Sequence, residues 1–129
     1  MNSIFTKIIN REIPAYIIEE NDDFIAFLDV FPLAKGHTLV IPKKQVDYIF
    51  DLDEKTHEGL WAFAKKVSYK VNSAIECKRV GIAVIGLEVP HAHIHLVPLN
   101  TVEDINFSQP KMKLDEREFI EIHKKIMNA

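Results

Sequence analysis

Three of the six histidines lie at alternate positions in one short stretch, as His91, His93 and His95. In an extended strand successive side chains point to opposite faces, so the three imidazoles would project from one face, each about 6.5 to 7 Å from the next. The apolar residues beside them would face the other way, into a core: Ala92, Ile94 and Leu96. The spacing predicts a strand with one packing face and one chemically active face.

A half-exposed strand with no chemical role is the alternative for any single histidine in such a pattern. Three in register differ, because their unperturbed pKa values lie near about 6.5 and mutual repulsion disfavours charging all of them at neutral pH. Imidazoles that are at least partly neutral can act as nucleophiles, as proton donors and acceptors, or as metal ligands. We therefore interpret the stretch as a functional site.

Length and composition predict one domain over residues 1–129. The chain is 47% hydrophobic and 27% charged, as in ordinary globular proteins. Its net charge of −3 offers no general attraction for nucleic acid or for an anionic membrane, so an anionic ligand needs a local site. Cys77 is the only cysteine, which excludes an internal disulfide and fits a reducing compartment. With no run of about 18 apolar residues and no long apolar segment at the start, we expect a cytoplasmic protein.

The elements that position the histidines begin with a short helix and a hairpin. Ser3 is a candidate N-cap, Pro14 ends the helical pattern, and an apolar stripe lies between them. The stripe consists of Ile4, Phe5, Ile8 and Ile9. Residues 16–20 and 24–29 are rich in β-branched and aromatic side chains and flank a turn-prone Asn-Asp-Asp, which predicts two antiparallel strands.

The middle of the chain predicts a third strand and one long helix. Residues 37–42 form an apolar run that begins at a histidine and ends at a proline. Asp51 and Glu54 have capping-box spacing before a helix of about 53 to 77. Its apolar positions step by four and three: Leu60, Ala64, Val67, Val71 and Ala74.

The last part of the chain predicts a hairpin that carries the histidines, then a polar loop and a final helix. Residues 79–85 are almost wholly apolar, as expected for a strand in the middle of a sheet, and a turn at 86–88 leads into the histidine strand. Asp115 and Glu118 repeat the capping signal for a helix of about 115–128. One side of it would be formed by Phe119, Ile120, His123, Ile126 and Met127. This order of elements is typical of an α+β domain with an antiparallel sheet.

The histidine stretch resembles the signature of the histidine triad (HIT) family of nucleotide-binding proteins and hydrolases. Residues 4–14, 24–29 and 36–43 resemble the other sequence blocks of that family, in the same order, so the similarity covers about residues 4 to 99. The resemblance implies a HIT-like α+β fold with about five antiparallel strands, one long helix packed on them and short N-terminal and C-terminal helices. The C-terminal helix would be an extension of the shared domain.

The resemblance also implies which residues act on a nucleoside monophosphoryl group. His93 would attack the α-phosphorus, His91 and His95 would flank the phosphate, and His37 would orient the triad. Asp29 would accept hydrogen bonds from the ribose hydroxyls, although it could also be a simple turn residue. The base would enter an apolar slot whose residues could equally be core packing: Ile4, Phe5, Ile8 and Ile13.

One departure from the family pattern lies directly before the triad. The loop there is short, and Glu88 occupies a position where a hydroxyl would donate to the phosphate. An ionised carboxylate would repel the phosphate unless it turned away or became protonated. Glu88 is therefore a candidate nucleotide-binding residue whose effect changes the expected substrate preference.

The resemblance predicts a hydrolase of nucleoside phosphoramidates or related nucleoside monophosphate conjugates. It would act through a covalent nucleotidyl-histidine intermediate, with no cofactor and no obligatory metal, on a small-molecule nucleotide. It would form a homodimer, with neither a nucleic acid nor a membrane as partner. Two alternatives stay open: a non-enzymatic nucleotide sensor on the same fold, and a metal-dependent phosphohydrolase that uses the triad as ligands.

Overall fold

The computed structural model describes residues 2–129 and shows the predicted α+β architecture, with five strands and three α-helices in this range. The helices are α1 (Ile4–Ile9), α2 (Glu54–Ala74) and α3 (Glu116–Met127). The strands are β1 (Ile17–Glu20), β2 (Phe24–Leu28), β3 (Thr38–Pro42), β4 (Arg79–Ala83) and β5 (Ile94–Leu99). No helix within residues 2–129 has the length and apolar composition needed to cross a membrane.

β4 lies at the edge of the sheet, although its apolar composition predicted a central strand. The strand order is β1-β2-β3-β5-β4, with every neighbouring pair antiparallel, so the predicted hairpins are confirmed. β5 pairs with β3 on one side and β4 on the other, and Ile82 of β4 is 50% exposed. The predicted position is wrong because an apolar run alone does not distinguish a central strand from an edge strand.

α2 packs on one face of the sheet through the predicted apolar positions. Leu60, Ala64, Val67 and Val71 are all buried in the larger core cluster. The predicted cap at Asp51 is wrong by two residues, since the Asp53 side chain accepts a hydrogen bond from the Thr56 amide. Asp51 instead ends a 3₁₀ turn before the helix.

The two short helices cover opposite faces of the sheet. Ser3 caps α1 as predicted, and this helix contributes Phe5 and Ile8 to a second apolar cluster. α3 begins with the predicted capping box and packs against the α2 side of the sheet. Its buried residues follow one spacing of three and four: Phe119, Ile122 and Ile126. Ile120 and Met127 were expected on this face, but they are about half exposed because they lie one position away from that stripe.

The histidine stretch is only partly a strand. β5 begins at Ile94, so His95 lies in the strand whereas His91 and His93 precede it. The backbone bonds before β5 are irregular, with the Ala92 amide donating to the carbonyl of Val46 at 2.7 Å. The prediction of one strand through all three histidines is therefore wrong for His91 and His93. The expected packing face is confirmed, since Ala92, Ile94 and Leu96 all lie in the core.

Candidate active site

The predicted site residues converge on an open cavity of about 450 Å³. Its walls are α1, the end of β2, the loop before β5 and part of the segment after β5. Eight of the predicted site residues line it: Ile4, Phe5, Ile8, Ile13, Asp29, Glu88, His93 and His95. His37 and His91 do not line this cavity and lie buried behind it. The triad therefore has two histidines at the cavity and one away from it.

His93 presents an unprotonated ring nitrogen at the cavity wall. Its Nδ1 lies 2.7 Å from the carbonyl oxygen of His91, which can only accept, so Nδ1 carries the proton. Burial lowers the pKa of His93, outweighing its hydrogen bond to His91 and the nearby Glu88 carboxylate, which both raise it. The ring is therefore neutral at neutral pH. Its Nε2 has a free lone pair, which is the form that a nucleophile requires.

His95 is the second triad residue at the cavity, and a hydrogen-bond chain fixes its proton. The Leu33 amide donates to His37 Nδ1 at 3.0 Å, which places the His37 proton on Nε2. That proton is donated to His95 Nδ1 at 2.9 Å, so His95 carries its own proton on Nε2. Burial lowers the pKa of His37 to about 3 and that of His95 to about 4, so both are neutral at pH 7. His95 thus carries a hydrogen-bond donor on Nε2, in a ring next to that of His93.

The His93 and His95 rings lie in edge contact, with centroids 4.8 Å apart. A lone pair and an N–H donor therefore occur side by side in one cavity wall. This pair of functions suits a reaction in which a bond forms at one atom while a neighbouring atom needs a proton or a stabilising hydrogen bond.

His91 has both ring nitrogens occupied by protein groups. Nε2 donates to the carbonyl of Pro42 at 2.7 Å, and Nδ1 accepts from the Ser3 hydroxyl at 2.9 Å. The side chain is fully buried, and burial lowers its pKa. Its contact with the reacting face is the backbone carbonyl that holds His93. In this geometry neither ring nitrogen of His91 is available at the cavity wall.

Asp29 lies in the cavity wall directly after β2, close to the His37–His95 pair. One carboxylate oxygen accepts from the Phe31 amide at 2.9 Å, and the other lies 3.6 Å from His37 Nε2. Because His37 is neutral at pH 7, this contact is not an ion pair. Burial raises the pKa of Asp29 to about 6, which leaves the carboxylate mostly ionised and able to accept hydrogen bonds at neutral pH. Glu88 lines the same cavity from an exposed position at its rim.

Asp29, His37 and His95 offer donor atoms within 4.8 Å of one another, which raises the question of a metal. A metal at this cluster would need a lone pair on His37 Nε2. The Leu33 amide, however, directs its proton at Nδ1 and so keeps the His37 proton on Nε2. The cluster therefore fits an ordered hydrogen-bond chain better than a set of three metal ligands.

Some apolar residues of the cavity wall are buried in the core, and others are exposed at the rim. Phe5 and Ile8 belong to the core, whereas Ile4 is largely exposed at the rim. Exposed apolar residues that the sequence analysis missed extend this rim: Val30, Phe31 and Leu87. A signal was available, because Val30 and Phe31 are large apolar residues in a loop rather than in a strand or helix.

Phe107 and Lys111 also line the cavity and were not predicted. They belong to the polar segment between β5 and α3, where no periodicity marks a function. The Phe107 ring lies 4.7 Å from the His95 ring and 6.1 Å from the His37 ring, measured between centroids. The one available signal was an aromatic residue within an otherwise polar loop.

Comparison with known proteins identifies relatives over most of the chain. Residues 10–102 match the HIT domain family model. An uncharacterized HIT-like protein of Borreliella burgdorferi is 37% identical over 132 residues, covering 95% of this chain and 94% of that protein. Among solved structures, a HIT-like protein of Bartonella henselae involved in cell-cycle regulation is 31% identical, with a TM-score of 0.84 over 98% of this chain and 95% of that chain. A HIT family hydrolase of Legionella pneumophila is 31% identical, with a TM-score of 0.64 over 74% and 90% of the two chains.

The range matched by the family model contains all four predicted catalytic histidines as well as Asp29 and Glu88. It ends before Phe107 and Lys111. The cavity is thus built from the matched range and from two segments outside it, α1 before residue 10 and the segment that carries Phe107 and Lys111.

Proposed function

The chain belongs to the HIT domain family, and we propose that it hydrolyses nucleoside phosphoramidates or related nucleoside monophosphate conjugates through a covalent nucleotidyl-histidine intermediate. The observation that carries this proposal is the pairing of a His93 Nε2 lone pair with a His95 Nε2–H donor in one cavity. A nucleophile and a proton donor at adjacent positions are what displacement of an amine from phosphorus requires.

In the first step, His93 Nε2 attacks the α-phosphorus, and a phosphorus–nitrogen bond forms as the bond to the leaving group breaks. The leaving atom departs with the proton that His95 Nε2 is positioned to supply. In the second step, water attacks the phosphorus, the bond to His93 breaks, and the water proton restores His95. The products are the nucleoside monophosphate and the protonated leaving group, with both histidines regenerated.

Asp29 and the apolar wall would bind the nucleoside part of the substrate. A mostly ionised carboxylate at the cavity wall can accept hydrogen bonds from both hydroxyls of a ribose. The rim residues Ile4 and Phe31 offer exposed apolar surface on which a planar base can pack. The size of the cavity, about 450 Å³, falls in the range of small-molecule sites.

A substrate panel with a matched histidine control tests this proposal. The panel contains adenosine and guanosine phosphoramidates and the corresponding dinucleotides, assayed with the wild type, His93→Ala and His57→Ala. His57 lies on α2, bonded to Trp61, and does not line the cavity. We expect turnover by the wild type and His57→Ala and none by His93→Ala. Wild type quenched with alkali during turnover should show a nucleotidyl adduct by mass spectrometry, since a phosphorus–nitrogen bond to histidine is labile in acid but stable in base.

Each other outcome of the panel removes the proposal in favour of a specific alternative. Turnover that survives His93→Ala contradicts the covalent intermediate. Turnover that is lost on adding a chelator favours the metal-dependent phosphohydrolase. Tight nucleotide binding without any turnover favours the sensor, for which the Glu88 carboxylate at the rim would be the structural reason.

The family resemblance implies a homodimer, and we infer that the two copies pair along β4. β4 is an edge strand with an unpaired backbone on its outer side, and apolar side chains in and after it are exposed, including Ile82 and Ile85. Light scattering during size exclusion should give the mass of a dimer for the wild type, and Ile82→Lys should shift it toward the monomer. A monomeric wild type contradicts the pairing without affecting the proposed chemistry.

The single Cys77 supports a cytoplasmic location.

A further inference from the structure

Lys111 supplies the one lysine or arginine side chain in the cavity lining that the structure describes. Asp29 and Glu88 line the same cavity with carboxylates, and His93 and His95 are neutral. Without Lys111, an anionic substrate would therefore meet only negative and neutral groups.

Contacts with Phe107 hold Lys111 in place. Its Nζ donates to the carbonyl of Phe107 at 2.8 Å and lies 5.3 Å from the centre of the Phe107 ring. The same ring packs against His95, with centroids 4.7 Å apart. The next residue, Met112, donates its amide to the carbonyl of Pro32 at 2.8 Å, which joins the segment to the loop after Asp29. Phe107 thus joins Lys111 to His95, and Met112 joins the same segment to the loop that follows Asp29.

The Lys111 ammonium group has hydrogen-bond donors available for a ligand. It has three N–H donors, and the bond to Phe107 uses one of them. Its charge opposes the burial that raises the pKa of Asp29 and adds to the burial that lowers the pKa values of His37 and His95, so all three groups lie within electrostatic reach of the ammonium. An ammonium is a general point-charge ligand for phosphate oxygens.

We propose that Lys111 is a substrate-binding residue that contacts the phosphoryl oxygens of the bound nucleotide and offsets the carboxylates of Asp29 and Glu88. This role rests on the proposed function, since it takes a nucleoside monophosphoryl group as the ligand. It makes the segment between β5 and α3 part of the site, although most of that segment lies outside the family match. The consequence is selectivity for the charged nucleotide over the uncharged nucleoside.

Calorimetric binding of AMP and adenosine, and of GMP and guanosine, separates this role from a structural one. Lys111→Met should weaken nucleoside monophosphate binding about tenfold or more while changing nucleoside binding less than about twofold. Lys111→Arg should retain most of the monophosphate affinity. Lys113→Met is the matched control, because Lys113 is an exposed lysine two residues along that does not line the cavity. Added salt should weaken monophosphate binding in the wild type more than in Lys111→Met.

Two results would overturn the inference. One is equal weakening of monophosphate and nucleoside in Lys111→Met, which would mean that the lysine only supports the fold or Asp29. The other is unchanged monophosphate binding in that variant. Both are measured on binding, so a wild type that binds AMP or GMP but does not turn over the substrate panel defeats the hydrolase proposal and leaves the role of Lys111 standing.

Discussion

His91 and His95 lie at equal distances in sequence from His93, yet the structure uses them differently. His95 lines the cavity and carries a proton on the nitrogen available to a ligand. His91 lies outside the cavity lining with both nitrogens bonded to the protein. The His95 side chain therefore lies at the cavity, whereas the His91 side chain is bound on both sides by protein groups.

The difference follows from where each histidine lies relative to β5. His95 is within the strand, opposite Leu39 of β3, and its Nδ1 is reached by His37 from the segment just before β3. His91 precedes the strand, and its ring lies between the cap of α1 and the last residue of β3. Alternation in sequence therefore specifies the spacing of these residues but not the environment of each ring.

Of the two histidines that flank His93, truncation of His95 should have the larger effect on catalysis. We expect His95→Ala to lower kcat for an amine leaving group about 10² to 10⁴-fold, since the variant lacks the proton donor beside His93. A nucleoside phosphorofluoridate, whose leaving group needs no proton, should lose much less. Single-turnover rates on both substrates test this difference. An equal loss on both would assign His95 to phosphate binding instead of proton donation.

Truncation of His91 should act mainly on stability. His91→Ala leaves the Ser3 hydroxyl and the Pro42 carbonyl buried without their partner, and it opens a cavity, so we expect the free energy of unfolding to fall by about 2 to 4 kcal/mol. The carbonyl that orients His93 belongs to the backbone and survives the change. We therefore expect kcat to fall less than about tenfold, measured well below the urea midpoint. A rate loss equal to that of His95→Ala, with stability unchanged, would show that the two ends are equivalent.

Much of this arrangement could be predicted from local sequence patterns. The capping residues Ser3 and Asp115 and the apolar stripe of α2 are local signals, and the structure shows the helices that they predict. The alternating histidines predicted a strand that the structure shows only from Ile94 onward. The cap of α2 was misplaced because Asp51 and Asp53 are equally good caps, and only the backbone conformation selects the second.

The unequal environments of His91 and His95 depend on contacts that no local pattern encodes. Ser3 is 88 positions from His91, and His37 is 58 positions from His95. The contribution of Phe107 depends likewise on a loop that folds back over the triad. The edge position of β4 follows from the insertion of β5 beside β3, which is a property of the whole sheet.

Acid should destabilise the protein chiefly through the His37–His95 end of the site. The pKa values of these residues are lowered to about 3 and about 4, so between pH 6.5 and those values the unfolded state binds protons that the folded state does not. Their contribution to stability is full above pH 6.5 and is lost as the pH falls. Asp29 has the opposite sign, because its pKa is raised to about 6 and the folded state takes up its proton first.

Urea midpoints at about pH 7 and about pH 4.5 measure the balance of these groups. We expect the midpoint of the wild type to fall on acidification, because several histidines with lowered pKa values oppose one raised carboxyl. The fall should be smaller in His95→Ala, which lacks one of these groups. A midpoint that rises on acidification would mean that Asp29 dominates the pH dependence.

Removal of the Ser3 hydroxyl should have the smallest effect on stability and on kcat, and it tests the contact that this hydroxyl makes with His91. This hydroxyl accepts from the Thr6 amide at 3.1 Å as the cap of α1 and donates to His91 Nδ1 at 2.9 Å. Ser3→Ala should therefore lower the free energy of unfolding by about 1 to 2 kcal/mol, with Ser3→Thr as the hydroxyl-retaining control. We expect kcat to change less than about twofold, because the Pro42 bond still holds the His91 ring. A larger fall in kcat than in His91→Ala would show that α1 acts on catalysis by another route, through the Phe5 ring that packs against His93 at 5.1 Å.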